Sequence, residues 1–214
     1  MRGIRSYGTS ICDTKDDPTG NDFRLIIDIS KKKGGKIMNR KLQLAITASM
    51  LAAMTTIATM IIKVPTLGTN GYVNIGDSVV LISSWLLGNP YGALAAGIGS
   101  ALADLLSGYP VYVPGTAIIK FVMAFAASIV FKALDKKSVP APVSYVISSV
   151  VAEIIMIFGY FLYESTVLGY GIAAAASIGS NAIQGITCII LGNALIYVLT
   201  KIRYINEMTR SLKS

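Results

Sequence analysis

Three ionisable side chains, Asp104, Lys120 and Glu153, stand inside or beside long apolar runs. A charge at the centre of a membrane helix costs on the order of 2.5 to 3.5 kcal/mol, so each of them needs a partner, water or a ligand. Asp104 lies about one turn before the end of one run and Lys120 about one turn into the next. Both therefore fall near one level, and a structural ion pair between them is expected, with ligand contact by Lys120 as the alternative. Glu153 is mid-run, with Tyr160 and Glu164 on its helical face, and is expected to receive ligand hydroxyls or a ring nitrogen. Asn181 and Gln184, three residues apart beside Gly179, Ser180 and Gly185, offer amides to a ligand or, equally, glue between helices at about 0.6 kcal/mol per bond. Asn74, Tyr109 and Tyr112 lie at the ends of the runs, suited to stacking on and hydrogen-bonding a planar small molecule. Tyr at a membrane interface also serves as an ordinary anchor.

The elements that must position these residues are apolar and long. With 53% hydrophobic and 14% charged residues among 214, the chain has too little polar surface for an ordinary soluble domain and reads as an all-α polytopic membrane protein. Leu42 to Ile62 carries no charge and, at ~1.5 Å per helical residue, matches a hydrocarbon core of about 30 Å. Val73–Leu87 and Tyr91–Leu106 are shorter and hinge at Gly88-Asn89-Pro90. Thr116–Phe131, Pro142–Tyr163 and Ile172–Leu199 complete a set of six expected transmembrane helices. In the third, Gly92, Ala96, Ser100 and Asp104 recur every fourth residue beside Ala93, Gly97 and Ala101, a smooth face that lets a neighbour approach closely. In the first, Ala48 and Ala52, flanked by Ala45, Ser49 and Ala53, form a similar groove for another helix.

The net charge of +8 does not point to nucleic acid, because most basic residues sit just outside the apolar runs. With six spans, Arg40, Lys41, Lys132, Lys136, Lys137, Lys201, Arg203, Arg210 and Lys213 share one side and Lys63 stands on the other, so both termini are expected in the cytoplasm. Residues 1–37 hold eight of the 19 Lys and Arg and five of the 11 acids, and form a polar leader apart from the membrane domain of 38–214. KKGGKI before Met38 suggests a translated ribosome-binding tract, a mis-assigned start and poor order. Cys12 and Cys188 form no plausible bridge, and with no His no zinc or haem site is expected. There is no GxxxxGK[ST] phosphate loop, and no cofactor is expected.

The stretch YVNIGDSVVLISSWLLGNPYGALAAGIGSALADLLSGY, followed by PGTAIIK, resembles the substrate-binding S components of energy-coupling factor (ECF) vitamin transporters, in the riboflavin and hydroxymethylpyrimidine branch. The similarity runs over most of Met38 to Lys201. It implies six helices, a vitamin site on the outer side, localisation to the cell membrane, and a complex with a transmembrane coupling subunit and two cytoplasmic ATPases. It also implies docking of the coupling subunit on Ala48 and Ala52. The expected ligand is a small aromatic vitamin or precursor of the pyridoxine or hydroxymethylpyrimidine type, with riboflavin next, held by Asn74, Tyr109, Tyr112, Lys120, Glu153, Asn181 and Gln184. The competing readings are an autonomous proton-coupled carrier titrating Glu153, for which no internal symmetry is visible, and an intramembrane enzyme, for which no nucleophile–base spacing is visible.

Overall fold

The computed structural model describes residues 40–65 and 72–202; the leader, Asn70, Arg203, Arg210 and Lys213 lie outside them. Six α-helices follow in the order α1 (Arg40–Ile61), α2 (Gly76–Leu87), α3 (Tyr91–Leu106), α4 (Val113–Lys136), α5 (Ala141–Leu162) and α6 (Ala176–Lys201). A two-stranded antiparallel hairpin, β1 (Lys63–Pro65) and β2 (Tyr72–Asn74), stands between α1 and α2, with Val64 opposite Val73. A π-helical turn (Tyr163–Val167) and a 3-10 turn (Gly171–Ala175) join α5 to α6.

Helices α1, α4, α5 and α6 are long and apolar enough to cross a membrane. Their outward faces carry large apolar side chains such as Ile118, Phe158 and Ile183, each about two-thirds exposed. Rows of exposed Ile, Leu and Phe suit hydrocarbon as solvent. The chain is a polytopic helical membrane protein. Helix α2 is different. Its 12 residues extend only ~18 Å, short of a bilayer core, and every one of them is buried. It packs against α1, α3, α4 and α6, so protein rather than lipid surrounds it. The second run was expected to be helical from Val73, but helix begins at Gly76. Tyr72–Asn74 pairs with β1 instead, and the Asn74 Oδ1 accepts the Gly76 N–H at 2.8 Å, turning the chain into α2.

Helix α3 bears out the smooth face. A Cβ on Gly92 would lie 2.4 Å from the Ser83 carbonyl oxygen of α2, and one on Gly99 would lie 2.4 Å from the Ala52 carbonyl oxygen of α1. Backbones therefore touch along both seams. The Thr56 hydroxyl of α1 donates to the Gly99 carbonyl at 2.8 Å, a polar stitch that such close approach permits. At the end of the bundle away from the hairpin the core is aromatic. Trp85 and Phe131 pack on Tyr145 at centroid distances of 4.8 and 4.7 Å, and the Trp85 indole N–H donates to Ser148 Oγ at 3.0 Å.

Candidate functional site

The polar residues gather at the hairpin end. A cavity of about 30 Å³ there is lined by Tyr72 and Asn74 from β2, Asp104 from α3, Tyr112 and Thr116 at the start of α4, Tyr160 from α5, Glu164 from the π turn, and Asn181 and Gln184 from α6. Breaks in helical regularity bring these groups in: β2 delivers two of them, and the π turn places Glu164. The Glu164 carboxylate accepts from the Tyr112 hydroxyl at 3.1 Å and from Ser177 Oγ at 2.5 Å. Thr116 Oγ1 and the Tyr160 hydroxyl are 3.0 Å apart.

Asp104 Oδ1 accepts from the Tyr72 hydroxyl at 2.6 Å, while Oδ2 is buried with no hydrogen-bond partner among the described residues. Burial, and then the negative charge of Asp104, raise the Tyr72 phenol well above its ordinary value of 10.0, so it remains a donor at neutral pH. Tyr109 packs on both Tyr72 and Tyr112, with centroids 4.8 and 6.5 Å away, and Tyr163 extends the row from Tyr112 at 6.3 Å. Tyr72 and Tyr112 of this row line the cavity, giving it an aromatic wall backed by Tyr109 and Tyr163.

Beneath the cavity lies a second polar group of different character. Asp77 Oδ1 forms an ion pair with the Lys120 ammonium, both side chains being almost completely buried, and Asp77 Oδ2 accepts from Gln184 Nε2 at 2.6 Å. The amide oxygen of Gln184 in turn accepts the Asn74 backbone N–H at 2.7 Å. The Cys188 thiol points at the Asn74 carbonyl, 3.6 Å away. One carboxylate thereby ties α2 to α4 and α6, and through Gln184 to β2.

This arrangement corrects the expected Asp104–Lys120 pair. Helix α4 begins at Val113, three residues before the expected start, so Lys120 is about two turns deep and level with Asp77, whereas Thr116 reaches the cavity. Of the other residues expected at a ligand, Asn74, Tyr112, Asn181 and Gln184 line the cavity; Tyr109 backs its wall, and Glu153 does not reach it. Glu153 is seven residues from Tyr160 on the same helix, or about 10.5 Å deeper. Its side chain packs against Gly185, and neither carboxylate oxygen has a partner among the described residues. Sequence reasoning did not single out Asp77, although it lies inside the expected second run from Val73 to Leu87; the structure places it in the first turn of α2. It gave Thr116 no role, named Tyr72 only as one of several outer-loop side chains able to stack on a planar ligand, and brought in Tyr160 and Glu164 only as companions of Glu153.

On α1, Ala48 and Ala52 are half-buried against the core, and Ala52 meets Gly99 of α3. Ala45, Ser49 and Ala53 continue the small-residue face outward and are exposed.

Comparison with known proteins places this arrangement in a family. The sequence model of the ECF-type riboflavin transporter S component matches residues 39–201, the whole of the helical domain described above apart from its last residue. The chain belongs to the ECF-type riboflavin transporter S component family. A protein of Pyrococcus woesei, described as an uncharacterized protein in the gap 3' region, is 31% identical over 146 residues, 68% of this chain and 94% of that one. A solved chain described under "Structure and mechanism of the S component of a bacterial ECF transporter" is 22% identical, with a TM-score of 0.58, and the match covers 75% of this chain and 97% of that one. That likeness extends to the fold. As an S component, the chain is a substrate-binding subunit of a membrane transporter.

Proposed function

We propose that this S component captures a small aromatic vitamin or vitamin precursor of the pyridoxine or hydroxymethylpyrimidine type, and that the cavity at the hairpin end is its site. The observation that carries this reading is the cavity wall: three tyrosines, three amides and two carboxylates around one space, with the Asp77–Lys120 pair beneath it. Rings supply flat stacking surfaces and amides supply edge hydrogen bonds, a combination suited to a small heteroaromatic. Riboflavin is the second candidate, favoured by the description of the matching family. A ligand-sized site needs about 300 Å³ or more, ten times the present cavity, so binding requires the tyrosine wall to part. Asn74, Tyr112, Asn181 and Gln184 contact the ligand; Tyr109 supports the wall; Lys120 lies beneath it, paired with Asp77, and Glu153 lies deeper, outside the site.

The up-and-down order of the helices gathers Lys41, Lys132, Lys136, Lys137 and Lys201 at the end opposite the hairpin, which supports cytoplasmic termini and an outward-facing cavity in the cell membrane. On this reading α2 and α3 complete six membrane-embedded helices, with α2 shielded by its neighbours. Energy comes from a transmembrane coupling subunit and two ATPases, which approach the small-residue face of α1 formed by Ala45, Ala48, Ser49, Ala52 and Ala53. Residues 1–37 are dispensable for both tasks.

Calorimetric titration of the purified chain in lipid nanodiscs with a vitamin panel tests the proposal. Tight binding of one aromatic vitamin, without uptake by the chain alone in liposomes, is the expected result. Uptake by the chain alone would favour an autonomous carrier, and affinity only for an aliphatic or anionic compound would overturn the ligand class. Replacing Ala48 by Trp should abolish uptake by the assembled transporter while sparing binding.

A further inference from the structure

The charges of the cavity wall are one-sided. Asp104 and Glu164 line it, both almost completely buried, and no lysine or arginine among the described residues does. Among those residues, the two ammonium groups at this end of the bundle have other partners. Lys120 is paired with Asp77, and Lys63 donates to Ser107 Oγ at 2.8 Å and stands over the Tyr72 ring at 5.6 Å. Glu164 receives a hydroxyl at each oxygen. Asp104 receives one of good geometry, from Tyr72, with the Thr116 hydroxyl also beside it, and its Oδ2 is buried with no close hydrogen bond among the described residues. A buried carboxylate oxygen without a donor is costly, and charge-assisted hydrogen bonds are its strongest remedy.

Building on the vitamin-binding reading, we infer that the ligand presents a nitrogen donor, either a protonated amine or an amino-substituted ring edge, to Asp104. The aromatic wall selects the flat ring and the carboxylate selects which edge of it faces α3. A ligand hydroxyl can donate to this carboxylate as Tyr72 does, but it brings no positive charge to a wall that carries two acids and no lining cation among the described residues, so a cationic or amino edge gains more.

The test uses matched pairs on the full chain in nanodiscs. One pair is hydroxymethylpyrimidine bearing its exocyclic amino group and the analogue with a ring carbonyl in its place; the other is pyridoxamine and pyridoxine. Riboflavin completes the set. In whichever pair binds, the amino compound should bind at least about tenfold more tightly. Asp104→Asn, which keeps the side-chain shape and an acceptor for Tyr72, should shrink that preference to within about threefold. The wild-type comparison stands even if the variant is unstable. Equal affinities within the binding pair, riboflavin binding more tightly than either amine, or a preference that survives Asp104→Asn in a folded variant would overturn the inference and leave vitamin binding intact. No binding by any of the five compounds would overturn both.

Discussion

Asp77 and Asp104 are both aspartates buried in a largely apolar bundle, yet their surroundings differ in kind. Asp77 has a lysine on one oxygen and an amide on the other, and its partners come from two helices. Asp104 lines a cavity, takes a phenol on one oxygen, and has its other oxygen buried with no close hydrogen bond among the described residues. A carboxylate with every acceptor position served is a fastening, and one left half-served beside a space is a place for something to bind. Burial alone does not separate the two, since both are at most 5% exposed.

The sharpest way to break this contrast is at Lys120. Lys120→Met should destabilise the protein by about 3 to 5 kcal/mol, because it strands the Asp77 carboxylate in the bundle, and much of the loss should return in the double variant with Asp77→Asn. Thermal denaturation of the wild type and the two variants in detergent checks this. If Lys120→Met melts like the wild type and instead loses ligand affinity, the lysine belongs to the site and the distinction fails. Glu153 extends the comparison to a carboxylate with neither partner nor cavity. Glu153→Met should raise stability by about 1 to 3 kcal/mol and leave ligand affinity within about threefold. A large loss of affinity would place the ligand deeper than the described cavity.

The smallest effect concerns Tyr72. Its phenol is held above the unfolded value of 10.0, so the stability that follows from its proton is fully present below pH 10 and is lost as alkalinity rises through the folded value. Tyr72→Phe should cost about 1 kcal/mol at neutral pH, the value of a typical hydrogen bond, and give a shallower decline above pH 10. Melting curves from pH 8 to about 11 would show it; parallel declines in both proteins would contradict the buried phenol.

The helices were legible because a run of apolar residues matched to bilayer thickness has few alternatives, and the glycine and alanine spacing of α3 exposed its seams. The hairpin was not legible. Its pairing depends on contact between β1 and β2 across the intervening residues, and Tyr72–Asn74 reads equally well as the start of the helix that follows. Among site residues, Asn74, Tyr112, Asn181 and Gln184 stood out as polar groups at the ends of apolar runs or within them. Depth was harder to judge. An error of three residues in the start of α4 was enough to move Lys120 from the cavity to Asp77, and Glu153 shares a helical face with Tyr160 while lying two turns below it. Asp77 was passed over inside the expected run from Val73, and its partners lie 43 and 107 residues away, beyond the reach of local spacing.

Those separations set an order for the birth of the protein. Asp77 leaves the ribosome 43 residues ahead of Lys120 and 107 ahead of Gln184. At about 5 to 20 residues per second, that is a wait of roughly 2 to 9 seconds for the first partner and longer for the second. Throughout it, a helix too short to cross the bilayer carries a carboxylate that hydrocarbon disfavours by several kcal/mol. Helix α2 therefore gains the full set of partners for Asp77 only after α4 has supplied the ammonium and α6 has supplied Gln184.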